Sequence, residues 1–280
     1  MSDRLAVSCT QDSEVVDKHY LAGAVLRSAA GCWFFVTLIG QWLFFYYIVV
    51  RYYPSTLSGH FEDWKSAYIL DDIAGNLAFA THVLLAAVVA FGGLLQLIPR
   101  IRERAIAVHR WNGRAFLVAA ILAACGGFYI IWVRNARYLR FEPAMVNAVS
   151  VSLNALLIFV FVALAWRAAR VRDIDRHRRW ALRTLMVVNG PGYFIRLATA
   201  GWSVFAPGVG MARFGDGPMN YFFKFASYLL PLAVLELYLR ARAGSSAFAR
   251  FATAIVIIAL TAYTAAGTLA EAMARRVLLD

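Results

Sequence analysis

The sequence predicts an all-α fold, a polytopic transmembrane helical bundle of about seven spans. Three observations predict it. The chain is 61% hydrophobic with only 16% charged residues and a mean hydropathy of +0.62, whereas soluble domains are about 45–50% apolar and about 25% charged. Its charges fall in short segments between long apolar runs. One such run, 73–98, carries a single ionisable residue, His82, before Pro99 and a strongly basic turn. About 20 apolar residues at about 1.5 Å rise cross a hydrocarbon core.

Taken in order, residues 1–28 form a polar tail with Asp12, Glu14, Asp17, Lys18 and His19. The transmembrane domain is 29–270 with its core at 73–205, and 271–280 is a second tail. The spans are 29–50, 73–98, 115–133, 144–166, 181–205, 219–239 and 251–270. Tyr46, Tyr47, Tyr52 and Tyr53 fit an interfacial aromatic belt, and the linker 51–72 ends in Asp71 and Asp72. Asn189-Gly190-Pro191-Gly192 interrupts the fifth span, where proline removes a backbone donor and predicts a kink.

The turns 99–114 and 167–183 are the most basic, which places them and the amino terminus on the cytoplasmic side of a bacterial inner membrane. The basic outer loop 134–142 runs against that assignment. The net charge of +12 flanks the spans, where topology and anionic lipids call for it, so nucleic acid is excluded as a partner and membrane lipids are expected. Cys9, Cys32 and Cys125 have no metal-ligand spacing, and Cys32 and Cys125 are expected to pack as small hydrophobes.

Two turns echo each other. Arg110-Trp111-Asn112-Gly113-Arg114 and Arg179-Trp180-Ala181-Leu182-Arg183 share Arg-Trp-x-x-Arg, with His109 and His177 just upstream. Spans two to three and four to five therefore read as a possible duplicated hairpin; two interfacial anchors would also look alike. With His82, Arg176-His177-Arg178-Arg179-Trp180 and Arg196, these motifs resemble a family of bacterial multipass membrane proteins described as a domain of unknown function, over about 74–200. The resemblance implies a helical membrane architecture and brings no activity.

Ionisable groups inside spans are expensive and so are candidate functional residues. Counting about 1.5 Å per residue from the outer span ends places His82 about 13 Å deep, Arg196 and Tyr228 about 14 Å, Asn154 about 15 Å and Lys224 about 8 Å. The layer holds two cations and a histidine with no acid at its depth; Asp71 and Asp72 at the mouth are nearest. An anionic, quinone-like or lipid-like ligand would balance it, with Arg196 as donor and His82 as hydrogen-bond partner. A purely structural account pairs Arg196 with Asp72, sends Lys224 to the surface and lets His82 donate to a backbone carbonyl. A second class is a b-type haem electron-transfer subunit, with His82, or His109 and His177, as ligands. A third is an accessory subunit of a larger membrane complex. Glu236 is expected to pair with Arg240 at i, i+4.

Overall fold

A computed structural model describes residues 2–60, 62–64, 68–134, 141–212 and 215–276, with the side chains of 2–17, 141–144 and 275–276 left out of account. The helices are α1 (Ser2–Ser58), α2 (Ile73–Leu95), α3 (Pro99–Arg104), α4 (Ile106–Tyr129), α5 (Phe141–Arg170), α6 (Ile174–Asn189), α7 (Ile195–Phe205), α8 (Pro218–Ala243) and α9 (Ala247–Arg276). Two π-helical segments join them: π1 (Ile130–Arg134) extends α4, and π2 (Gly190–Phe194) links α6 to α7. Among the described residues there is no strand.

Among the described residues six helices are long and apolar enough to cross a membrane: Lys18–Ser58, Ile73–Leu95, Ile106–Arg134, Met145–Arg170, Pro218–Ala243 and Ala247–Ala274. The remaining expected span, the fifth, is the rod α6–π2–α7, broken at the predicted Asn-Gly-Pro-Gly and less apolar than the rest. Packing explains why it tolerates that composition. Its first half lies against α5 and α8, its second against α8 and α9, and Thr184 to Val187 are buried in succession.

Around it, α1 packs on α2 and α9, α2 on α4, and α4 on α5. The helices are apolar outward and partly polar inward. Along α1, Phe35, Ile39, Leu43 and Tyr46 form an exposed stripe, while Thr37, Gln41 and Ile48 are buried. This is the arrangement a lipid solvent selects. Close crossings need glycine: a Cβ on Gly190 would stand 2.5 Å from that of Tyr228, so α8 can cross π2 only there.

Several boundaries differ from the expectation. The amino-terminal tail does not precede the first span as a separate element, because α1 is continuous over about 85 Å. The two Arg-Trp-x-x-Arg motifs lie in the second and third turns of α4 and α6 rather than in loops. In α6 this follows from Asp173, whose carboxylate accepts from the Arg176 amide. Both motifs then adopt one geometry: the Arg114 guanidinium lies 4.9 Å from the Trp111 ring, and Arg183 lies 4.5 Å from Trp180. Cys32 and Cys125 are exposed on the bundle surface rather than packed inside. Asp12, Glu14, Asp17, Arg137, Arg140 and Asp280 lie outside the described side chains.

Candidate functional site

The predicted layer divides among three seams. On α2, His82 places Nδ1 2.8 Å from the carbonyl of Ala123 on α4. A carbonyl only accepts, so Nδ1 carries the proton and Nε2 keeps its lone pair. Gly126 and Gly127 close against the imidazole.

Asn154, Tyr228 and the backbone of Lys224 come together around α5 and α8. Pro191 has no N–H, so in a regular helix the carbonyl of Val187 would lose its donor. The Asn154 amide supplies one at 2.9 Å, and the Gly190 N–H bends back to the same oxygen. Tyr228, fully buried, donates to the Ser150 carbonyl at 3.2 Å, while the Ser150 hydroxyl donates to the carbonyl of Lys224 at 2.8 Å. The Lys224 ammonium itself reaches the Gly215 carbonyl at 3.5 Å and lies over Tyr221.

Arg196 is exposed, with its guanidinium 5.5 Å from the Phe44 ring on α1. It is not the partner of Asp72. That carboxylate caps α2 through the Gly75 amide and pairs with buried Arg134, Nε to Oδ2 3.1 Å. Arg134 also donates to Asn76 at 2.7 Å. The apolar pattern of span three stops at Val133 and so hides this residue, but π1 continues the helix one turn and returns Arg134 to α2. Glu236 likewise pairs with Arg183, not Arg240, through two bonds of 2.6 and 2.9 Å. The i, i+4 rule yields to a bidentate fork from the central rod.

Beside Phe44 the structure places a polar site that ionisable residues alone do not reveal. Gln41 is fully buried, and neither its amide nitrogen nor its oxygen has a hydrogen-bond partner. One turn earlier, the buried Thr37 hydroxyl is also unpartnered. The Thr37 carbonyl accepts from Tyr193 of π2 at 3.4 Å, and Tyr193 has Thr268 of α9 as a further hydrogen-bonding neighbour. Gly40 is what lets the Tyr193 hydroxyl come so close to α1. Phe44 packs on Tyr193 with ring centroids 6.1 Å apart. Gln41 lies about 14 Å from residue 50, the depth of the predicted layer. The sequence signal for it was an uncharged amide in mid-span, one turn after a threonine and next to a glycine.

The opposite end of the bundle, where α3, the 171–173 turn and the 244–246 turn lie, is strongly basic. His109 has His177, Arg102 and Arg110 as its charged neighbours. Partial burial, then Arg242 and Arg102, hold Arg178 below the usual guanidinium value, with Asp175 opposing them. His177 donates from Nδ1 to the Ala165 carbonyl at 3.0 Å. Among the described residues no group of three or more His, Cys, Asp or Glu converges as a metal site.

Residues 79–207 match the family model described as Predicted membrane protein (DUF2306). The DUF2306 stretch runs from within α2 past the end of α7, so it holds the central rod, both Arg-Trp-x-x-Arg motifs, His82 and Arg196. It leaves out α1 with Gln41, and α8 and α9. No curated protein and no solved structure matches the chain.

Proposed function

We propose that this multi-pass membrane protein binds a small quinone-like molecule, one carrying a ring and a carbonyl or hydroxyl oxygen, between α1 and the π2 turn. The observation that carries the reading is the Gln41 side chain, fully buried with both amide atoms unpartnered. A buried amide without partners costs several kcal/mol, of order 2–7, and lipid supplies no substitute. A ligand oxygen would offset that cost. The amide donates to a carbonyl and accepts from a hydroxyl, so it suits both the oxidised and the reduced form of a quinone. Phe44 and Tyr193 offer ring faces, and Arg196 holds a positive charge against the same Phe44 ring. In this reading Asn154 and Tyr228 support the ligand indirectly, by holding the broken rod in shape.

The test is the thermal stability of the detergent-purified protein with a water-soluble short-chain quinone. The wild type is stabilised, and Gln41→Leu folds but loses the response. A wild type that shows no saturable shift would contradict the reading.

A second reading, b-type haem, is favoured by one observation. The imidazole of His82 has the tautomer of a metal-ligating histidine, Nδ1–H on a carbonyl and Nε2 unprotonated. It predicts a Soret band in the purified protein that shifts on reduction and is lost in His82→Ala. A colourless wild type removes it.

A further inference from the structure

At the basic end, nitrogen donors come from five elements. Gln96 caps the end of α2, and its side-chain oxygen lies against Gly113 of α4. His109 stands one turn before Gly113, on the same face of that helix. The Gln96 amide nitrogen and His109 Nδ1 are both buried, and neither has a hydrogen-bond partner. Arg102 of α3 is a charged neighbour of His109 and also of Arg178 on α6; Arg242 of α8 neighbours Arg178. His177, also near His109, already spends its Nδ1 proton on Ala165.

Among the described residues, the acids of this end do not neutralise the cluster. Asp173 caps α6 and pairs with Arg176, Glu236 is held by Arg183, and Glu103 is exposed on α3. Asp175 is the acid that faces Arg178. Half-buried donors with cations around them and so few acceptors among the described residues form a site for an anion of several oxygens.

We propose that Gln96, Arg102, His109, Arg178 and Arg242 form a phosphate-binding site at the basic end of the bundle. The phosphate bridges the end of α2–α4 to the start of the central rod, which otherwise meet here as like charges. It could come from an anionic phospholipid headgroup or from free phosphate; both present the same oxygens. The site is separate from Gln41 and does not depend on the quinone reading.

The experiment measures thermal unfolding of the full-length protein in two arms. In detergent, potassium phosphate is titrated against potassium chloride at matched ionic strength. In nanodiscs, phosphatidylcholine alone is compared with phosphatidylcholine containing phosphatidylglycerol. Saturable stabilisation by phosphate identifies the free anion, and stabilisation by phosphatidylglycerol alone identifies the lipid; either supports the site. Arg102→Gln weakens the response at least ten-fold, whereas Arg104→Gln, exposed on the same short helix, leaves it intact. Gln96→Glu keeps the proposal testable if Arg102→Gln fails to fold. Its carboxylate supplies the missing anion, so the protein melts higher without phosphate and no longer responds. No stabilisation in either arm, equal loss in Arg104→Gln, or a Gln96→Glu protein that melts lower would overturn the proposal.

Discussion

A single missing hydrogen sets the role of Asn154. Pro191 cannot cap Val187, and the amide of Asn154 does so from another helix. Asn154→Ala should therefore destabilise the protein by about 1–2 kcal/mol, read from denaturation in detergent. Asn154→Leu should cost no less, because volume alone does not restore the donor. A change within a few tenths of a kcal/mol for both would mean the Gly190 N–H suffices. The same scale explains what was hard to read in the sequence. Charge draws attention to Arg196 and Lys224, yet Arg196 is exposed and the Lys224 head leans toward Gly215. Gln41 and Thr37 carry no charge, and their burial becomes visible only when α1 is seen to turn them against π2.

Among elements, the rod α6–π2–α7 holds the bundle together. Its kink was legible in Asn189-Gly190-Pro191-Gly192, since proline and glycine act through local backbone chemistry. The form of the kink was not, because a π turn depends on what fills the gap, here Tyr228 against Gly190 and Asn154 on Val187. Nor was the bidentate bond from Arg183 to Glu236, which joins helices 53 positions apart in the chain. With side chains 18% and 32% exposed, this pair is shielded enough to matter but not so deep that desolvation cancels it. A double-mutant cycle with Arg183→Met and Glu236→Gln should give a coupling of about 1 kcal/mol or more. The exchanged pair, Arg183→Glu with Glu236→Arg, should be more stable than either charge reversal alone. Additive single effects would show that the bond contributes nothing to joining α6 and α8. The shared Arg-on-Trp contact in α4 and α6 is what i, i+3 spacing gives on any helix, whether or not the hairpins are duplicated.

At the scale of the molecule, architecture followed from hydropathy, because apolar runs of about 20 residues satisfy their backbone in lipid as helices. Among the described residues six spans stand out by length and composition; the rod, expected as the fifth span, is split into segments of 16, 5 and 11 residues and carries the charges of α6, which is why composition describes it least well. Orientation is a separate matter, resting on charge alone. We propose that the basic end, with the turns at 99–105 and 171–173, faces the cytoplasm. A reporter active only in the cytoplasm should be active when inserted at Ser245 and silent at Gly208; the reverse pattern would invert the chain.

The central proposal is that the buried Gln41 amide meets a bound molecule. Native mass spectrometry of the gently extracted protein tests it most directly, comparing wild type with Gln41→Leu. The account predicts a bound species of small-molecule mass at about one per chain in the wild type, released as a quinone-like compound, and absent from Gln41→Leu. A bare wild type, with Gln41→Leu folded and more stable, would contradict it: the amide would then be a buried polar group that the bundle merely tolerates.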